Sequence, residues 1–439
     1  MHFLQILRRL SPFQIIALSF LFLIFFGASL LMLPIATTSG HGASLIDALF
    51  TAVSATCVTG LTTVNTATYW TLFGKIVILG LIQIGGFGVV TVAVAIVAIS
   101  GRKVGLMQRN LSKEAVAAPA LGGIVPLLYF ILRLTFLFEG LGALFLLPSF
   151  IAREGVVNGI GFAIFHSISA FCNAGFDLFG DSLVSFVDDP LVNLTIMGLI
   201  IAGGLGFVTW ADIRTKGFHI HAYSLQSKIV LVTTTLLIFL PAFLFMATEI
   251  APRPGGAHIW ASFFQSVTTR TAGFNSIDLN EFSEGARGIL IILMLIGGSP
   301  GSTAGGFKTT TAFSLLASML AAFRRKQDVN AFSRRLSPET LRDASTVFWL
   351  YLLLFICGSL ALTFVDHVPL LAAAFETASA IGTVGLSIGV TEHLSDPSLI
   401  IMMLLMFFGR IGALTMIFAT HKEGAKNFAR MPEEKITVG

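Results

Sequence analysis

The chain has 439 residues, of which 11% are charged and 55% belong to the set AVILMFWYC, whereas soluble proteins average about 25% charged residues. Its 27 Lys+Arg and 23 Asp+Glu cannot clothe a soluble globule of this length, and 41 phenylalanines exclude a disordered or fibrous chain. The mean hydropathy of +0.88 is that of an integral membrane protein, and the net charge of +4 says less than the places where the positive charges fall.

Apolar runs long enough to cross a bilayer, about 17–25 residues, lie at 13–34, 72–99, 124–148, 191–211 and 229–250. Three more follow at 288–296 (continuing irregularly to about 320), 345–365 and 398–420. That predicts an all-α membrane protein of eight spans in four pairs. The first run continues past the length of a signal-peptide core and lacks an A-x-A site, so no cleavable leader is expected. Cys57, Cys172 and Cys357 are too few for a disulfide framework and form no CxxC zinc pattern.

The basic residues sort by loop. Arg8 and Arg9 precede the first span, and Arg102, Lys103, Arg109 and Lys113 follow the second. Arg214, Lys216 and Lys228 separate spans four and five, and Arg324, Arg325, Lys326, Arg334, Arg335 and Arg342 separate six and seven. Lys422, Lys426, Arg430 and Lys435 follow the eighth. Loops inside the pairs hold only Lys75, Arg153, Arg253 and Arg287, together with Asp177, Asp181, Asp188, Asp189, Asp278 and Asp396. The positive-inside rule therefore puts both termini and the inter-pair loops in the cytoplasm.

The gaps inside the pairs repeat. They read FTAVSATCVTG from Phe50 to Gly60, FHSISAFCNAG from Phe165 to Gly175, FFQSVTTRTAG from Phe263 to Gly273 and FETASAIGTVG from Phe375 to Gly385. Each ends on Gly ten residues after Phe, and Leu61, Phe176, Phe274 or Leu386 follows. The second spans repeat a double glycine or its relic, at Gly85-Gly86, Gly203-Gly204, Gly297-Gly298 and Gly409-Arg410, with a further Gly at 88, 206, 301 and 412. Four-fold duplication is the reading. It divides the chain into units 1–105, 106–220, 221–335 (with a broken second span) and 336–439 (with a C-terminal tail).

About ten apolar residues before each loop glycine are too few to cross the bilayer, so each gap reads as a re-entrant half-helix. Irregular backbone at membrane depth survives only when buried in protein or lining a water-filled path. Four such loops around one axis would aim carbonyls at it, and carbonyl rings can replace the hydration shell of a monovalent cation. The half-helices would also direct the negative ends of their dipoles there. Without a ring of carboxylates, a divalent-cation filter is disfavoured.

The four span–loop–span units, the segment SVTTRTAGF from Ser266 to Phe274 and the segment GGSPGSTAGGFKT from Gly297 to Thr309 resemble the superfamily of potassium transporters that includes the Trk, Ktr and plant HKT proteins. Only a short stub precedes the first unit, which is the pattern of its Ktr-type membrane subunits. The resemblance covers almost the whole chain. It implies a homodimer in the bacterial cytoplasmic membrane, one pore per protomer, above a cytosolic ring of KtrA-like, nucleotide-binding RCK subunits. It implies K+ as the transported ion, with filter carbonyls from Val58, Thr59 and Gly60; Asn173, Ala174 and Gly175; Thr271, Ala272 and Gly273; and Thr383, Val384 and Gly385. Relatives with Ser at the first filter position favour sodium, and here that position is Gly60. One glycine per loop, against the Gly-Tyr-Gly of potassium channels, keeps open a sodium-dependent or sodium-permeable transporter of the same fold.

In the third unit Gly297, Gly298, Ser299, Pro300, Gly301, Gly305 and Gly306 interrupt the second span, since Pro and clustered Gly break helices. Family members use this loop as an intramembrane gate, to which Lys308 belongs. Arg410 replaces a glycine in mid-span, where an unpaired guanidinium costs about 3 kcal/mol or more, so it is expected against the pore or the loop carbonyls as part of the barrier.

Other readings are weaker. Gly301–Thr309 imitates a phosphate-binding loop, but Phe307 intrudes before Lys308 and no strand precedes it. Ser299 has no His placed to activate it, and neither an enzyme nor an organic cofactor is expected. Arg270 is expected to be tied to carbonyls or a carboxylate behind the filter, Arg133 and Glu139 to partners in neighbouring helices. Asp177, and secondarily Glu376, would raise cation concentration at the mouth. Arg324–Arg342 reads as a topology signal in contact with anionic lipid, or as a dock for an acidic partner face. No basic–aromatic interleaving points to nucleic acid.

Overall fold

The computed structural model describes residues 11–88, 91, 124–250 and 257–412. Arg8, Arg9, Arg102, Lys103, Arg109, Lys113, Arg253, Lys422, Lys426, Arg430 and Lys435 lie outside these residues. Among the described residues the chain is mostly helical, with one two-stranded hairpin. Helix α1 spans Pro12–Leu31, where Ser11 and Gln14 form a reciprocal capping box. The short α2 (Leu45–Cys57) starts at the cap Ser44, and α3 (Leu72–Phe87) at Thr71. In the second unit α4 runs Ile124–Cys172 with its helical path broken at Gly155 (φ 77°), and α5 (Pro190–Gly204) and α6 (Phe207–Lys216) follow.

The third unit holds α7 (Leu225–Thr248), α8 (Ala257–Thr268), α9 (Glu284–Leu295) and α10 (Thr309–Phe323). Strands β1 (Asn330–Ala331) and β2 (Arg334–Arg335) pair antiparallel, Asn330 opposite Arg335. The last unit contains α11 (Pro338–Asp366), α12 (Leu370–Gly382) and α13 (Asp396–Ile411).

Eight spans are expected, yet among the described residues four helices are long and apolar enough to cross a membrane, within α1, α4, α7 and α11. A fifth qualifies if α5 and α6, which meet at 96°, count as one. The second helix of every pair stops short for a local reason. Gly88, Gly206 and Gly412 sit at φ 82°, 86° and 90°, a region closed to most side chains and to helix continuation. In the third unit α9 ends at Leu295, before Gly301 (φ 65°), and the second unit, where no break is expected, is broken at Gly206 between α5 and α6. The span expected over 191–211 is bent by 96° where α5 meets α6.

The short helices form the centre. Most residues of α2, α8 and α12 are buried, densest toward their C-terminal ends, and Leu61, Phe176, Phe274 and Leu386 are at most 1% exposed. Packing runs in a circuit: α3 touches α4, α5 touches α8, α9 touches α12, and α13 returns to α2. Each unit therefore lays its second helix against the next unit, and the last unit meets the first. Large apolar side chains face outward on the long helices, among them Phe22, Phe136, Leu240 and Phe364, as expected of a surface solvated by lipid.

Candidate functional site

The four short helices end alike. Val58, Asn173, Thr271 and Thr383, each two residues before its loop glycine, have φ between 50° and 65°. The next amide bonds back into the helix: Thr59 N to Ser54 O, Ala174 N to Ser169 O and Val384 N to Ser379 O, all 2.8 Å, and Ala272 N to Thr268 O, 2.9 Å. The left-handed residue thus closes the helix and frees the following backbone. Then come Gly60, Gly175, Gly273 and Gly385, again at positive φ, from 69° to 96°.

These glycines meet one another. An added Cβ would lie 2.5 Å from Ala174 O at Gly60, 2.8 Å from Ala272 O at Gly175 and 2.5 Å from Val384 O at Gly273, and at Gly385 it would strike Thr59 O. The carbonyls of Thr59, Ala174, Ala272 and Val384 thus follow each other around a closed ring, each against the glycine of the preceding loop, with Thr59 closing the ring on Gly385. Glycine is required twice over, by φ and by contact. The structure therefore brings together the four sequence-predicted triplets Val58–Gly60, Asn173–Gly175, Thr271–Gly273 and Thr383–Gly385. The buried hydroxyls of Thr59, Thr271 and Thr383 have no hydrogen-bond partner within the described chain.

Beside the ring, the double glycines let the second helices reach the ends of the short ones. A side chain at Gly85 would strike Thr56 O, one at Gly203 would strike Phe171 O and one at Gly409 would strike Ile381 O. Each of these carbonyls lies four residues before its loop glycine. Gly86 makes room for Cys172, whose Sγ is 4.0 Å from Gln83 Oε1. Cys57 and Cys172 are buried and free, in keeping with packing behind the loops.

The segment between α9 and α10 forms a loop closed at its neck by Gly297 N to Phe307 O (2.8 Å) and Thr309 N to Gly298 O (3.1 Å). It docks on the break of the second unit through Ser299 N to Gly204 O (3.0 Å), Thr303 N to Gly203 O (3.2 Å) and Phe207 N to Gly301 O (2.8 Å). Thr303 Oγ1 reaches Phe171 O at 3.0 Å and Asn173 Oδ1 at 3.3 Å, and Gly305 abuts the Thr383 side chain. The expected gate residues from Gly297 to Lys308 thus form one loop, touching Asn173 and Thr383, which directly precede ring carbonyls in their loops. Lys308 Nζ donates to Ala304 O (2.8 Å) and Gly305 O (3.2 Å). Arg410 donates to Thr303 O, to Gly85 O (2.5 Å) and to Gly86 O (3.0 Å). It ties the loop to the broken helix of the first unit and meets the loop carbonyls.

Several neighbours differ from expectation. Arg270 is buried and donates to Thr234 Oγ1 at 3.2 Å, while its own carbonyl accepts from Asn173 Nδ2 at 3.1 Å; among the described residues no carboxylate faces it. Glu139 meets Gln83 of α3 at 2.9 Å, as expected, but Arg133 is exposed. Asp177 is spent on a turn: its Oδ1 accepts from Phe179 N and Gly180 N. Burial lifts its carboxyl above the ordinary value, against the pull of those amides. Glu376 holds the loop after Gly385, accepting from Ser387 Oγ, Ile388 N and Thr391 Oγ1.

Sequence reasoning missed the counterpart of Glu376. His166 occupies the aligned position of the second unit, and its Nε2 accepts from Leu178 N at 3.3 Å, just as Glu376 accepts from Ile388 N. Both acceptors sit one residue after the aligned Phe and grip the amide three residues after the loop glycine. That shared register is the signal that would have found them.

The sequence matches the family described as TrkH, cation transport protein, over residues 4–430. It is 42% identical over 98% of its length to the Ktr system potassium uptake protein B of Bacillus subtilis, covering 97% of that protein. It is 40% identical over 99% to the potassium/sodium uptake protein NtpJ of Enterococcus hirae, covering 99% of it. The crystal structure of the potassium transporter TrkH from Vibrio parahaemolyticus has the same fold, with a TM-score of 0.73 and 23% identity over 94% of this chain and 85% of that one. The chain is a member of the TrkH family of cation transport proteins.

Proposed function

We propose that this chain is the membrane-embedded, ion-translocating subunit of a potassium-uptake system of the Ktr/TrkH type, conducting K+ down its electrochemical gradient. The architecture is four span–loop–span units in pseudo-fourfold array around one pore, eight membrane passages in all. The observation that carries the reading is the closed succession of Thr59, Ala174, Ala272 and Val384 carbonyls against the four loop glycines. Carbonyl rings replace the hydration shell of a monovalent cation without covalent chemistry. The unpartnered hydroxyls of Thr59, Thr271 and Thr383 supply further oxygens to the same path.

The loop from Gly297 to Lys308, pinned by Arg410, is the gate on the cytoplasmic side of the filter. Two cations among its carbonyls raise the barrier to a third. The chain works as a homodimer in a bacterial cytoplasmic membrane, with both termini cytoplasmic, and a cytosolic RCK-type nucleotide-binding ring moves the gate. Sodium dependence or permeation is the second reading, favoured by the potassium/sodium name of the E. hirae relative.

Proteoliposomes holding only this chain, under a set membrane potential, test the filter with potassium and sodium assayed separately. Potassium flux is expected to exceed sodium flux, and Gly60→Ser to narrow the ratio. A ratio indifferent to Gly60→Ser overturns the filter assignment. Flux of neither ion, unchanged when a regulatory ring is added, overturns the conduction reading as a whole.

A further inference from the structure

Between α6 and α7 the chain passes through residues 217–224, and between α10 and α11 it folds back as β1 and β2. These connections lie together and border a groove of about 810 Å³. One part of its wall is basic, from His221, Lys228 and Arg334; another is apolar, from Leu231, Val232 and Leu236. Lys228, Val232, Leu236 and Leu240 recur every four residues and so share one face of α7. The three apolar members are 40%, 59% and 72% exposed. On a helix apolar enough to cross a bilayer, that exposed stripe has the chemistry to meet acyl chains, and Lys228 stands at its head.

The polar end is built. Lys228 Nζ donates one N–H to His221 O at 2.8 Å, which holds the ammonium in place with two more to give. Arg335 is paired with Asp328 at 3.0 Å, whereas Arg334 has no ion pair among the described residues. The hairpin turns through Phe332 and Ser333, both left-handed at φ 47° and 62°, where Asn-Gly is the favoured pair. Strained backbone of this kind collects at binding sites, and here it carries Phe332, Ser333 and Arg334 on the groove wall.

We propose that this groove binds an acidic phospholipid, its phosphate between Lys228 and Arg334 and one acyl chain along Val232, Leu236 and Leu240. The site is separate from the filter and stands whether or not Gly60→Ser alters selectivity. Charge decides the headgroup: residues 324–335 carry five basic side chains and one acidic one. The apolar stripe decides for a lipid, because an acidic protein surface or a free phosphate would meet the bases and leave three turns of exposed aliphatic side chains unused.

Native mass spectrometry of the full chain in detergent, mixed with phosphatidylglycerol or phosphatidylcholine at equal concentration, reads this directly. Phosphatidylglycerol is expected to be retained in preference, weakened about five-fold by each of Lys228→Gln and Arg334→Gln and unmoved by Arg342→Gln, outside the groove. Leu236→Asn is expected to weaken retention with the charges intact, and glycerol 3-phosphate to leave the lipid in place. Equal retention of both lipids, an equal effect of Arg342→Gln, or displacement by glycerol 3-phosphate overturns the proposal. So does unchanged lipid retention in all groove variants while binding of a regulatory ring is lost, which assigns the groove to a protein. Unaltered melting of the variants in lipid-free detergent excludes misfolding as the cause of any loss.

Discussion

Arg410 donates to Thr303 O of the loop and to Gly85 O and Gly86 O of the first unit, so one side chain ties the loop to the first unit. A charge-assisted bond lost without replacement costs about 1.5–3 kcal/mol, a factor of about ten or more in the population of a released loop. Arg410→Ala is therefore expected to raise basal potassium flux about ten-fold in proteoliposomes; unchanged rate and affinity would remove Arg410 from the gate. Asp177 answers to a different measurement. Its folded value is raised by burial, so its contribution to stability is full below the unfolded value near pH 4 and is lost as pH rises through the folded value. Asp177→Asn keeps the oxygen that accepts from Phe179 N and Gly180 N and drops the charge. Its melting temperature is expected to match or exceed the parent's at pH 7, with the gap closing toward pH 4. A lower value at pH 7 would mean that the carboxylate charge is itself required.

At the scale of elements, the double glycines make a sharper test than the loops they support. Gly203 and Gly409 pass so close to Phe171 O and Ile381 O that no side chain fits, whereas Gly80 and Gly198 have open space around them. Gly203→Ala and Gly409→Ala are expected to lower stability by about 1–3 kcal/mol or more, because backbone cannot step aside. Gly80→Ala and Gly198→Ala, in helices α3 and α5, are expected to leave it unchanged or raise it. A common effect of all four would mean that contact with the short helices is not what selects glycine. Fixed spacing is also why this part was legible: Phe, then Gly ten residues later, marks each short helix and loop. The helix ends at Gly88, Gly206 and Gly412 were not, because one glycine in an apolar run signals only a small propensity cost and its φ is set by neighbours far along the chain. In α4, by contrast, the separation of the span at 124–148 from the short helix before Gly175 was legible, and the turn at Gly155 (φ 77°), next to Arg153 and Glu154, falls between the two. The β1–β2 hairpin escaped notice because Phe332-Ser333 is not a turn pair that sequence favours.

Over the whole molecule, the packing circuit from α3 through α5, α9 and α13 back to α2 closes four consecutive stretches of chain on themselves. In the proposed arrangement each stretch enters from the same side of the membrane, so the repeats are parallel. Alternating access is typically built from inverted repeats rocking about a central site; parallel repeats around an axis make a pore whose ring of carbonyls stays put while a loop moves. The two mechanisms differ in what drives transport. A gated pore couples to nothing but the ion's own gradient and the membrane potential, worth about 2.3 kcal/mol per charge per 100 mV. At 100 mV, inside negative, proteoliposomes are therefore expected to accumulate potassium about fifty-fold at equilibrium. Flux should reverse when the potassium gradient is made to exceed that ratio, with no fixed number of sodium ions or protons moving alongside. Reversal potentials measured over a series of potassium gradients, with sodium present and absent, decide the matter. A reversal that follows potassium alone supports the pore. A reversal displaced in proportion to the sodium gradient, with potassium uptake abolished in its absence, would make this chain an obligate cotransporter, and the four carbonyls would then have to bind two different ions in turn.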